Sequence, residues 1–281
     1  MIIDAHHHLW QPERGYRWLA APGLERLRRP YLPADLIAET TAAAIDATVL
    51  VEGGRCHTDE VAELLGYAAT TPVIARVVAW IDLGAPDVAA TLAGYRRLPG
   101  GEMLAGVRAQ VQGETDPGYL DRPEVRHGLA AVAAEGLAFD LVIRSGQLPA
   151  AARAAYAVPE LTFVLDHLGK PRVDRGDAGL RAWLGPFTEL AACPNVTAKL
   201  SGLITEAGPG WTPAALGPFV AAAVDLFGPQ RLMFGSDWPV CLLAAGYRDV
   251  LDALREALPP LAEPQLAEIF GGTAARVYRI S

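Results

Sequence analysis

Eight short runs rich in β-branched and aliphatic residues punctuate this chain of 281 residues, and each is followed by a stretch with helical spacing. The runs are MIIDAH at 1–6, ATVLVE at 47–52, VIARVVAWID at 73–82, MLAGVRAQV at 103–111, LAFDLVIR at 137–144, LTFVLDH at 161–167, NVTAKLSG at 195–202 and RLMFGSD at 231–237. Parallel strands joined by helical crossovers produce that alternation, and eight such strands close a barrel. Several runs are apolar almost throughout, as strands covered by helices outside and packed side chains inside require. The intervening segments, such as DEVAELLGYAAT, DVAATLAGYRRL and PAALGPFVAAAVDLFG, repeat apolar residues three and four apart. Gly136 and Gly228-Pro229 stand where the chain must leave a helix before the fifth and eighth strands. The chain carries no linker, low-complexity tract or further repeat, so one (β/α)8 TIM-barrel domain over residues 1–281 is expected. One segment breaks the rhythm. Residues 9–34 hold Trp10, Trp18, five Arg and four Pro, which reads as a long βα loop over the barrel mouth.

Composition narrows the partners. The formal charge of −8 disfavours attraction to nucleic acid phosphates or anionic membranes, and leaves a small molecule as the expected partner. Oligomeric state has no signature in the chain. Cys56, Cys193 and Cys241 are few and far apart, which suits reduced thiols better than a disulfide framework or a cysteine metal site. No basic stretch leads into an apolar one at residues 1–10, and no apolar run approaches a membrane span, so a cytoplasmic protein is expected.

The chemistry-bearing residues gather at strand ends. In Asp4-Ala5-His6-His7-His8, alternate side chains of a strand share a side, so His6 and His8 converge and His7 points elsewhere. Two imidazoles so placed can bind a divalent ion or donate to an oxyanion; a surface cluster is the bland alternative. His167 leaves the sixth strand in VLDHLGKP, with Asp166 facing oppositely and read as an anchor for a neighbouring loop. Asp237 ends the eighth strand in FGSDWP, where a general base would sit; a helix N-cap is the competing role. Arg108, Arg144 and Lys199 are cations in apolar strands, which need either a partner or a purpose. Substrate contact is expected of Arg108 and Arg144, with pairing to Glu52 and Asp82 as the structural alternative. Glu52 is either a further metal ligand or a salt-bridge partner. Trp10, Trp18 and Trp238 are candidates for an aromatic wall against a sugar ring, and loop packing would account for any one of them equally well.

Taken together, IDAHHHLW, VVAWIDL, GVRAQVQ, LVIR, FVLDHLGKP, MFGSDWPVCLLAAGY and IFGGTAARVY resemble the amidohydrolase superfamily, more narrowly its sugar-lactone hydrolases related to L-fuconolactonase and L-rhamnono-lactonase. The likeness spans nearly the whole chain. It implies a hydrolase that opens an aldonolactone to the sugar acid, with Asp237 and His167 catalytic and Arg108 and Arg144 against the substrate. It further implies either one divalent ion, Zn or Mn, on His6, His8 and Asp237, with His167 or Glu52 as further ligands, or metal-independent chemistry. This chain has Ala109 where the branch often has a histidine, and Glu52 where it often has a glutamine. A metal-dependent decarboxylase of the same superfamily and a non-catalytic sugar-acid binding barrel are the alternatives.

Overall fold

Strand-forming residues occur in runs too short to stand alone, so each must pair with the next and pack its outer face under a helix. The computed structural model, which describes residues 1–281, has eight parallel strands in sequential order. They are β1 Ile3–His7, β2 Ala47–Val51, β3 Ile74–Trp80, β4 Leu104–Ala109, β5 Ala138–Leu141, β6 Phe163–Leu165, β7 Val196–Leu200 and β8 Leu232–Phe234. Seven lie inside the expected runs, and β1 extends one residue further, to His7. The ring closes past the end of β8, where the Asp237 amide donates to His6 O (2.8 Å) and the His8 amide to Trp238 O (2.7 Å).

Two apolar clusters make the core. The larger joins the outward strand faces to the helices, among them Leu50, Val107, Trp183 and Phe187. The smaller contains Ile3, Ala5, Val49, Val51, Val78, Val164 and Met233 with Tyr278 near the chain end; strands that far apart in sheet order share contacts only across the barrel lumen. Helix ends follow local chemistry. The helix Pro213–Phe227 begins at Thr212, whose hydroxyl accepts from the Ala215 amide (3.4 Å), carries Pro at its first turn, and stops at Gly228 with φ 69°. Gly136, at φ 64°, does the same after the helix Pro123–Ala134. No helix is long and apolar enough to cross a membrane.

The 9–34 segment is ordered by aromatic packing and three short 3-10 turns. Trp10 and Tyr31 exchange backbone hydrogen bonds (3.1 and 2.9 Å), Trp10 Nε1 donates to Leu27 O (3.1 Å), and the Tyr31 ring meets Trp238 edge-on at 5.3 Å. Trp10 and Trp238 are each 1% exposed. The expected aromatic wall is therefore corrected: both indoles are spent on seating the loop, and neither offers a face to a ligand in this conformation.

Candidate active site

The site is assembled from the departures of β1, β6 and β8 from regular geometry. Pairing of β1 with β2 slips between Asp4 and His7, and such an irregularity re-aims side chains. Asp4 turns to the helix layer, where it accepts from Tyr247 Oη (2.7 Å) and Ser236 Oγ (2.6 Å). His7 bonds Thr48 Oγ1 (2.9 Å), away from His6 and His8, whose Nε2 atoms lie 3.2 Å apart. Gly235 makes room for this: a Cβ there would sit 2.7 Å from His6 Cβ. Asp237 has φ 56° and brings Oδ1 to 3.5 Å from His8 Nε2, 3.8 Å from His6 Nε2 and 3.9 Å from His167 Nε2. His167 starts a left-handed turn that continues through Leu168, Gly169 and Lys170, with φ of 54°, 51°, 71° and 54°. Three of these are not glycine, a strain of roughly 1–2 kcal/mol each of the kind stored at functional positions. The turn is held by Trp183 Nε1 donating to Leu168 O (2.8 Å) and by Ser145 Oγ donating to Gly169 O and Lys170 O (3.1 and 2.8 Å).

Beneath the cluster runs a buried chain of charges. Arg108 Nε donates to Glu52 Oε1 (2.6 Å) and one terminal nitrogen donates to Asp166 Oδ2 (2.9 Å). Asp166 Oδ1 faces His6 Nδ1 at 3.1 Å and Lys199 Nζ at 3.0 Å. Lys199 also donates to Asp140 Oδ2 (2.5 Å), and Tyr278 Oη donates to both Asp140 oxygens (2.9 Å). This corrects the reading of Asp166 and, for Glu52 and Arg108, favours the salt-bridge alternative over the functional one. Asp166 anchors no loop but follows Val164 on the inward side of the strand and sits in the lumen against His6; the residue that departs from the alternation is His167, at φ 54°. Glu52 spends its oxygens on Arg108, Gln110 Nε2 (2.5 Å) and the Gly54 amide (2.7 Å), which makes it a salt-bridge partner outside the ligand cluster. Arg108, 3% exposed, is committed to Glu52 and Asp166 and orients the site from below. Burial pushes Asp166 upward, but Lys199, His6 and Arg108 together hold it well below the usual carboxylate range. Burial raises Asp140 to about 6 against the pull of Lys199.

The donor set suits a divalent cation. His8 Nδ1 faces Val51 O (2.9 Å), which can only accept, so Nδ1 carries a proton and Nε2 is the ring nitrogen available to the cluster. His167 is anchored likewise at Nδ1 by Ser201 Oγ (2.8 Å). Burial lowers His167 to about 4 and His6 well below its ordinary value, so both rings are neutral at neutral pH. Burial would raise Asp237 as well, but His167, His8 and His6 around it hold it below the ordinary value, ionised. Nitrogen ligands oriented by partners on the far side of the ring, with a carboxylate, are what zinc-type sites use. His6 Nδ1 has an acceptor, Asp166, and a donor, Lys199 Nζ at 3.1 Å. Either tautomer is therefore supported: Nε2 can offer a lone pair to a cation, or donate to His8 without one.

Above the cluster, the mouth is polar. Arg144 is exposed and its Nε donates to Gln112 O (3.2 Å), while Lys170 Nζ donates to Gln112 Oε1 (2.6 Å). Gln112 Nε2 reaches Gln110 Oε1 (3.0 Å). Lys170, Gln110, Gln112 and Ser201 were not singled out from the sequence. The Gly-Lys-Pro after DHL and the alternate glutamines after β4 were the available signals.

The amidohydrolase family model matches residues 3–280. An L-fucono-1,5-lactonase of Burkholderia multivorans is 40% identical over 99% of this chain and 96% of its own. An L-fucono-1,5-lactonase of Burkholderia ambifaria is 36% identical over 99% and 95%. A crystal structure of an amidohydrolase from Burkholderia multivorans with bound Zn superposes with a TM-score of 0.91 at 38% identity, covering 100% of both chains.

Proposed function

The chain belongs to the amidohydrolase family, and on that premise we propose that this hydrolase opens a sugar-derived lactone, with L-fucono-1,5-lactone as the first substrate to try, to the corresponding sugar acid. The observation that carries the reading is the convergence of Asp237 Oδ1 on the Nε2 atoms of His6, His8 and His167, in a chain so similar over its whole length to proteins named for that reaction. A lactone carbonyl needs a water deprotonated on one side and an oxyanion stabilised on the other. Asp237, ionised and fixed by its own backbone bond to His6, takes the proton of the attacking water. The acyl carbon gains the hydroxyl, the ring C–O bond breaks, and Asp237 returns its proton to the leaving alkoxide. His167, held by Ser201, points Nε2 at the reacting atoms, and Arg144 at the rim contacts substrate oxygens.

A divalent ion, Zn or Mn, would be held by His6, His8 and Asp237, with His167 beside them, and would supply Lewis-acid polarisation of the carbonyl. The test is acid release from a panel of aldonolactones, before and after chelation, with Asp237→Asn and spontaneous opening as controls. Opening that depends on Asp237 supports the reading, and chelation assigns the histidines: loss restored by a divalent ion makes them ligands, and resistance makes them direct hydrogen-bonding groups. A panel in which no lactone is accelerated overturns it.

A further inference from the structure

Lys170 is a charged group the reaction above leaves idle. It is half-buried, and of its three N–H donors one is taken, by Gln112 Oε1 at 2.6 Å. Burial lowers its ammonium below the ordinary lysine value, opposed by the Asp237 and Glu206 carboxylates and reinforced by Arg108 and Arg144. Neither carboxylate closes on it as an ion pair, so the charge is held near Asp237 without being neutralised there. A lysine needing only solvation would extend into water along its flexible stem. This one is kept at the mouth.

The backbone explains how. His167 and Lys170 are three residues apart in the left-handed turn, which the Lys170 amide closes by donating to His167 O at 2.9 Å. In a turn of three residues, side chains at that spacing eclipse, so the geometry that aims His167 at Asp237 aims Lys170 to the same side. Gly169, at φ 71°, has no room for a Cβ, which would lie 2.9 Å from Leu148 Cδ2. The turn therefore packs tightly at its glycine, and the histidine and the lysine project from one hydrogen-bonded backbone unit.

We propose that Lys170 is a catalytic residue whose ammonium receives the acyl oxygen of the substrate, the atom that becomes a carboxylate oxygen when the ring opens. The inference rests on the lactone-opening reading. Water deprotonated by Asp237 attacks the acyl carbon, so the acyl oxygen lies within a few ångströms of that carboxylate, on the side where Lys170 stands. The two free N–H groups meet it as negative charge develops, and no proton need leave the lysine. Arg144, tied to the backbone of the same Gln112, is left for the more distant hydroxyls.

The experiment compares wild type with Lys170→Met and Lys170→Arg, reading kcat and KM on L-fucono-1,5-lactone. It also reads inhibition by L-fuconate, which has the carboxylate, and by 1,5-anhydro-L-fucitol, which has the ring and no acyl oxygen. Lys170→Met is expected to lower kcat by roughly 10²- to 10³-fold, the loss seen when one oxyanion donor is removed. It should weaken fuconate inhibition by roughly 10- to 100-fold, as for a lost charge-assisted hydrogen bond, and leave the anhydroalditol unchanged; Lys170→Arg should recover part of both. Should the methionine variant fail to fold, Lys170→Gln, which can still donate to Gln112, is expected to show the same losses. An active wild type whose variants keep kcat and fuconate inhibition within twofold overturns the assignment and leaves the hydrolase reading standing. Equal weakening of both inhibitors, with a lowered unfolding temperature, overturns it in favour of a structural role. A wild type that opens no lactone overturns both.

Discussion

Replacing Lys199 with methionine tests the charge chain in the lumen. The ammonium is fully buried, 2.5 Å from Asp140, 3.0 Å from Asp166 and 3.1 Å from His6 Nδ1. Methionine fills most of the volume but strands two carboxylates. Breaking a buried pair by removing one partner destabilises by about 3–5 kcal/mol, which for a chain of this size is a fall of roughly 10 °C in Tm. The loss should depend on pH. Asp140 is already raised to about 6, with Lys199 pulling it down; without the lysine it rises further. An acid raised in the folded state makes the folded chain bind more protons than the unfolded one, so stability falls as pH rises through that window. Lys199→Met should therefore be nearer to wild type at pH 5.5 than at pH 8, and a second change, Asp140→Asn, should restore part of the difference at pH 8. Urea unfolding with a constant slope is the assay. A loss below about 1 kcal/mol at pH 8, small beside the expected cost of a stranded charge, or the same loss at both pH values, would refute the reasoning.

Gly202→Ala should damage activity more than stability. Its Cβ would lie 2.6 Å from His167 Nδ1 and 2.8 Å from Cγ, at φ 65°, so the ring must shift off Ser201; a displacement of that kind costs about 10²-fold in turnover, and retained turnover would show that His167 needs no fixed orientation. Arg144→Met should raise KM about tenfold with little change in kcat, and a fall in kcat alone would place Arg144 in the chemistry. Glu60 is raised to about 8, chiefly by burial and then by Glu52, and one of its oxygens is buried without a partner. Stability should therefore decline between pH 4.5 and about 8, and Glu60→Gln should match wild type near pH 5 and exceed it at pH 9 in parallel urea curves; a variant no more stable at pH 9 would remove Glu60 from that account.

Strand positions were legible because apolar runs, helical spacing and Gly punctuation all report on burial and local backbone choice, which act over a few residues. The His6, His8 and Asp237 neighbourhood was legible for the same reason: polar groups at strand ends have nowhere to go but the mouth. Asp166 was misassigned because reading His167 as the inward residue of an extended strand turns Asp166 outward, whereas Asp166 keeps the inward side of Val164, and His167 reaches the site only by its left-handed turn at φ 54°. Pairings such as Arg108 with Glu52, 56 residues away, depend on which strands face one another across the lumen, and spacing carries no trace of that. The left-handed turn left only its glycine as a sign. Trp10 and Trp238 were ambiguous because a wall and a wedge require the same indole.

Closure of the barrel has a further consequence. The bonds that join β1 to the chain beyond β8 run from the Asp237 amide to His6 O and from the His8 amide to Trp238 O, so three of the four residues of the reactive constellation, His6, His8 and Asp237, lie in the last seam of the ring. A barrel still open along that seam could hold most of its helices and strands and yet have no assembled site. Recovery of turnover after dilution from urea would then lag behind recovery of helical signal, and the enzyme would serve as its own reporter of when the ring is complete.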